Sequence, residues 1–107
     1  MKKKFIIILK NKQKGTLSEK LLNDHINHLK KLTQEKKLYL CGPFKDNDGA
    51  LQILISENIE TARHYIKKDP FIISGYYQHY DIHELIEANA DNNWLMSDSQ
   101  TKGNIKK

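Results

Sequence analysis

The feature that most constrains this chain is the unbroken apolar run Phe5-Ile6-Ile7-Ile8-Leu9, set between Lys2-Lys3-Lys4 and Lys10. A half-exposed strand would alternate with polar residues, so five consecutive apolar, mostly β-branched residues predict a strand buried on both faces. With lysines ahead of it the run imitates a secretory leader. It is too short for one, and no small-residue cleavage site follows, so that reading is rejected. Nor does any apolar run approach the ~18 residues of a membrane span.

The segments that follow supply partners for such a strand. Asn11 to Gly15 is a polar turn, and Thr16-Leu17-Ser18-Glu19 matches a capping box with Thr16 as the cap. Leu21, Leu22, Ile26, Leu29 and Leu32 recur at helical spacing and predict a helix from about Leu17 to Lys36. Leu38-Tyr39-Leu40-Cys41 reads as a second strand stopped by Gly42-Pro43. The polar stretch Lys45 to Gly49, ending in Asp-Gly, is a hairpin signal. Leu51, Ile53 and Ile55 alternate with Gln52 and Ser56 as a third strand. Asn58 can cap a second helix through Ile59, Ala62, Tyr65 and Ile66, ended by Asp69-Pro70. Pro70 opens a short helical turn closed by Gly75, and Tyr76 to His83 alternates as a fourth strand.

The order strand-helix-strand-strand-helix-strand predicts an α+β, ferredoxin-like βαββαβ fold with two helices on one face of a four-stranded antiparallel sheet. That arrangement leaves the other face bare, while the first strand asks for burial on both sides. A second copy of the chain is the simplest cover, so a homodimer is expected. Residues 1–84 form the predicted domain. Residues 85–107, rich in Asn and Ser and without sustained periodicity, read as a partly flexible extension. Leu85 to Ala90 can add a helical turn there, and Trp94-Leu95-Met96 is an apolar triplet expected to pack somewhere.

Composition narrows the function. The net charge of +5 rests on 18 basic residues, of which only Arg63 is an arginine. Base and phosphate recognition favours the bidentate guanidinium, and these lysines are dispersed, so a solvated lysine-rich surface is expected rather than nucleic-acid binding. One cysteine, Cys41, rules out an internal disulfide and fits a reducing, cytoplasmic setting. There is no glycine-rich phosphate loop and no serine nucleophile elbow. No cofactor is implied.

His25 on the first helix, the strand ending Leu40-Cys41-Gly42-Pro43-Phe44, and the string Asp69-Pro70-Phe71 followed by Gly75 resemble the YCII-like (YciI-related) family of small bacterial proteins. The resemblance runs from about Lys3 to His83. It implies a dimer of ferredoxin-like subunits in the dimeric α/β-barrel style and an active site built from His25 and Asp69. It also implies an unknown small-molecule ligand, since some relatives are assigned to dehydrochlorination of chlorinated hydroquinones. The extension beyond the last strand departs from the family pattern.

A His–Asp pair is sensible proton-transfer chemistry, of the lyase or isomerase type. The carboxylate fixes the imidazole tautomer and steadies the imidazolium that forms when the ring takes a proton. Each residue also has an ordinary reading: His25 lies on an apolar helical stripe where hydrogen-bonded core histidines are common, and Asp69 before Pro70 is a helix cap. Gly42 and Pro43 are expected to shape a cleft wall, the glycine by allowing close approach. Phe71, His28 and His79 are further candidates for contacting a ligand, though His28 at the margin of the stripe is more readily a surface or interface residue, and His79 suits a dimer-interface contact or the cleft lining. His79, Asp81 and His83 share a strand face but span too far to converge on a metal, and no metal site is assigned. Cys41 is more readily a small buried hydrophobe than a nucleophile.

Overall fold

The computed structural model describes residues 2–106. Strands β1 (Lys3–Lys12), β2 (Leu38–Pro43), β3 (Ala50–Ser56) and β4 (Tyr77–Leu85) form one antiparallel sheet in the order β2-β3-β1-β4. Helix α1 (Glu19–Gln34) connects β1 to β2, and α2 (Ile59–Lys67) with the one-turn α3 (Pro70–Ile73) connects β3 to β4. This is the ferredoxin-like split βαβ arrangement, with β1 and β3 at the centre.

The register explains the two faces. Phe5, Ile7 and Leu9 of β1 stand opposite Leu54, Gln52 and Ala50 of β3. Ile7, Leu9, Ala50 and Leu54 pack with Leu32 of α1, Ile66 of α2 and Phe71 of α3 in a single core. The intervening residues Ile6, Ile8, Leu51, Ile53 and Ile55 point to the other face, which no described helix covers. The first strand is therefore apolar on both sides for two different reasons.

Several boundaries differ from the sequence expectation. Helix α1 begins at Glu19, not at Leu17. Its cap is Ser18, whose hydroxyl accepts from Leu21 N at 3.0 Å, while the Thr16 hydroxyl donates to Gln13 O at 2.6 Å and is used by the preceding turn. Strand β2 runs on through Gly42-Pro43, which an edge strand tolerates because the missing N–H faces outward. In β3 the faces are reversed: Gln52 and Ser56 lie on the helix side and the Leu-Ile-Ile row faces away. Close backbone approach occurs at Gly49, where a Cβ would fall 2.5 Å from Leu9 O, and not at Gly42, which has nothing within 4 Å. Beyond Leu85 the predicted turn at Leu85–Ala90 is not helical. A short 3-10 stretch over Ala90–Leu95, kinked at Asn92–Trp94 where the backbone leaves helical geometry, and helix α4 (Ser99–Asn104) form further on. No helix among the described residues is long and apolar enough to cross a membrane.

Candidate active site

The site begins with a backbone constraint. Asp69 precedes Pro70, which disfavours helical geometry, and it adopts φ −66°, ψ 124° between α2 and α3. In that position it caps α3, its Oδ1 accepting from Phe71 N at 2.9 Å. The same Oδ1 accepts from His25 Nδ1 at 2.7 Å, and Oδ2 accepts from Gln52 Nε2 at 2.8 Å. Helix cap and histidine partner are thus one role, and the two readings of Asp69 do not compete. With 0% of its surface exposed, the carboxylate depends on these three donors. Burial pushes its carboxyl pKa up, but the hydrogen bond and charge of His25, with the Gln52 amide and Phe71 N–H, outweigh burial and hold it below the ordinary aspartate value.

His25 is fixed from two sides. Its ring stacks on Phe71 with centroids 3.6 Å apart and planes 8° from parallel. Nδ1 is committed to Asp69, so Nε2 is the nitrogen left to the neighbouring cavity. That cavity, about 440 Å³, opens between α1 and the β2–β3 end of the sheet. Leu22 and Ile26, which the sequence places on a core-facing stripe, instead line its mouth with Leu17, and all three are more than a third exposed. Phe71, Tyr76 and Tyr77 form an aromatic wall, with Phe71–Tyr76 centroids 4.7 Å apart and Phe71–Tyr77 5.8 Å apart.

Of the residues picked out in the sequence, His25, Gly42, Pro43 and Phe71 line this cavity and Asp69 lies behind it. Two others are not brought there. His28, one turn along α1 from His25, is not among the lining residues; its Nε2 is buried without a partner and burial pulls its pKa down. His79 stands opposite Lys10 on the uncovered face of the sheet, since His79, Asp81 and His83 pair with Lys10, Ile8 and Ile6, which point away from the helices. Cys41 lines the cavity and is exposed, against the expectation of a buried hydrophobe, because it stands on the edge strand β2. Partial desolvation at the cavity wall and the Asp69 charge both push its thiol pKa up, which opposes thiolate formation.

Two functional candidates are not among the residues the sequence marks out. Gln52, 2% exposed, is the second support of Asp69. Its signal is a polar residue at the centre of an apolar strand, legible only once its side is known. Lys12 is the one lysine or arginine among the cavity-lining residues, held by Asn47 Oδ1 at 2.8 Å and lying 5.6 Å over the Tyr77 ring. Nothing local distinguishes it from the other lysines.

Comparison with known proteins agrees with the fold. The family model described as the YCII-related domain matches residues 4–86. A solved structure, the 5-chloro-2-hydroxyhydroquinone dehydrochlorinase of Burkholderia phenoliruptrix AC1100 in complex with 2,5-dihydroxybenzoquinone, is similar with a TM-score of 0.58 and 19% identity. The match covers 83% of this chain and 99% of that one, and shows a shared fold. No curated protein matches the chain.

Proposed function

Because the chain belongs to the YCII-related family, we propose that it is a small-molecule enzyme of the lyase or isomerase type, working with His25 as general base and Asp69 as its orienting carboxylate. The observation that carries this reading is the His25–Asp69 hydrogen bond of 2.7 Å beside an apolar cavity of about 440 Å³. The bond to Asp69 keeps the proton on Nδ1 and leaves Nε2 basic. In an elimination Nε2 takes the substrate proton, the released electron pair flows toward the carbon–halogen bond, and the halide leaves. Asp69 then faces an imidazolium rather than a neutral ring, and the attraction grows in the transition state. A positioned base of this kind contributes roughly 10²–10⁴-fold.

The cavity chemistry narrows the substrate class. Aromatic and aliphatic walls with Lys12 at one side suit a small flat ring bearing an ionisable oxygen. Gly42 and Pro43 shape the β2 wall, and Phe71 supplies both the stack on His25 and part of the lining. His28 and His79 act outside this pocket, His79 as a contact on the open sheet face. We further propose that this face pairs with a second copy. Ile6, Ile8, Leu51, Ile53 and Ile55 form a half-buried apolar row there with no covering element. In this reading residues 1–84 are the working domain, residues 85–107 an appendage, and the setting is the cytoplasm, where the single thiol stays reduced.

The test uses the neighbour's substrate and ligand as probes. Chloride release from 5-chloro-2-hydroxyhydroquinone is followed for the wild type and His25→Ala, with 2,5-dihydroxybenzoquinone binding measured by calorimetry. Turnover that falls at least 100-fold in His25→Ala, with the fold intact by circular dichroism, supports the general base. Binding without turnover assigns the cavity to a non-catalytic ligand-binding dimer, and equal activity in the variant removes His25 from the chemistry.

A further inference from the structure

The extension after β4 is organised but unsupported by the rest of the chain. Asn89 caps the 3-10 helix through a reciprocal pair with Asn92, and Asp98 caps α4 by accepting from Gln100 N at 3.0 Å. Among the described residues, no hydrogen bond or ion pair joins residues 88–106 to the sheet or its helices; the ion pair of Lys4 with Glu87 is the last tie. The molecule measures 53 × 29 × 23 Å with a radius of gyration of 16.2 Å, against about 13 Å for a compact chain of this size. No residue from 86 to 106 is buried.

This segment nevertheless presents its largest apolar side chains outward. Trp94 is 66% exposed and Met96 63%. Asn93, Trp94 and Leu95 occupy the left-handed region consecutively, with φ of 51°, 57° and 61°. Bulky residues resist that conformation, and the bonds that hold it, Trp94 N to Asn89 O at 2.8 Å and Leu95 N to Asn92 Oδ1 at 3.2 Å, come from within the extension itself. The place where the extension leaves the body narrows its target. Leu85 pairs with Lys4 at the rim of the uncovered sheet face, on the side shared by Ile6 and His83. A second copy seated on that face therefore lies beside the root of the extension, and eight residues separate Leu85 from Trp94. The extension also falls beyond the family match, which ends at residue 86, so it adds to the shared fold rather than belonging to it.

We propose that residues 86–107 are an arm that docks Trp94, together with Met96, on a second copy of this chain when the two pair through their open sheet faces. The inference rests on the pairing reading above and adds a contact that the sheets alone do not make. Tethering beside the paired face gives the arm a high effective concentration for its dock, so a few apolar side chains suffice. An aromatic of this size buries enough area to anchor such a contact.

Trp94 is the only tryptophan, which makes the full-length chain its own reporter. Tryptophan emission and acrylamide quenching are followed through a dilution series whose oligomeric state is fixed in parallel by sedimentation velocity. The expected result is a blue-shifted, quencher-shielded Trp94 in the dimer that becomes red-shifted and quenchable as the dimer dissociates. Trp94→Ala should raise the dissociation constant on the order of tenfold while leaving the monomer folded. A dimer whose Trp94 stays solvent-like, or a Trp94→Ala dimer as tight as the wild type, overturns the arm and leaves the paired faces standing. A chain that stays monomeric at every concentration overturns the pairing reading and the arm with it.

Discussion

The face of the sheet covered by the helices buries Phe5, Ile7, Leu9 and Leu54 and, among them, Gln52 bonded to Asp69, whereas the uncovered face presents Ile6, Ile8, Leu51, Ile53 and Ile55 from the two central strands. A core built for stability alone would hold no buried carboxylate, and a face left to solvent would not carry an apolar row. Water-free surroundings strengthen each hydrogen bond to Asp69 and make an unpaired partner costly, so the covered face is where a His–carboxylate pair can be held rigidly. The apolar row outside is what a second layer would bury. The difference between the faces separates two tasks: chemistry under the helices and association on the open side.

Substitutions that treat the faces differently test this division. The largest effect on stability is expected for Ile7→Ala on the covered side, a loss of about 3 kcal/mol in urea unfolding. Ile53→Ala on the open side should leave monomer unfolding within about 1 kcal/mol of the wild type yet weaken association. Equal losses in the two monomers would erase the distinction. Asp69→Asn comes next, at about 2 kcal/mol near neutral pH, because it leaves His25 or Gln52 with a poorer acceptor. Its sign with pH is fixed by the depressed carboxyl. The native state holds Asp69 below its ordinary value of 3.8, so the stabilisation is present above that pH and is lost as pH falls through the lower folded value. The gap between wild type and Asp69→Asn should therefore close in strong acid.

His28 gives a smaller and differently placed effect. Burial, outweighing the nearby Asp69 charge, lowers its pKa from 6.5, so its contribution is complete above that pH and fades as pH drops below it. His28→Leu should flatten the dependence of thermal stability on pH between neutral and mildly acidic conditions. Smallest at neutral pH is Tyr77, which acts only in alkali, where burial, helped by Tyr76 and Asp69, pushes its phenol up to about 12 from 10. The stability linked to it is full below pH 10 and is lost as pH rises toward 12, and Tyr77→Phe should remove that alkaline sensitivity.

Much of this architecture is written locally. The βαββαβ order follows from periodicity, and Asp69-Pro70 and Gly75, with φ of 78°, mark the α3 turn because proline and the left-handed region leave few alternatives. What is not local is the side a strand shows. Leu51, Ile53 and Ile55 form a cleaner apolar row than Ala50, Gln52 and Leu54, so alternation alone assigns the wrong row to the core. The register with Phe5, Ile7 and Leu9 decides it. Gln52 is hidden for the same reason, and Lys12 because a lysine near a pocket is distinguished only by tertiary position. Trp94 illustrates the converse: an apolar triplet that should pack, yet finds no seat in its own chain.

The most direct test of the site is a crystal of the full-length protein soaked with 2,5-dihydroxybenzoquinone. The predicted result is a ring lying in the cavity between α1 and the β2–β3 end of the sheet, with one oxygen about 3 Å from His25 Nε2 and the Nδ1–Asp69 bond intact. A ligand bound elsewhere, or one seated in the cavity with His25 turned away from it, would contradict the assignment of His25 as the proton-transfer residue.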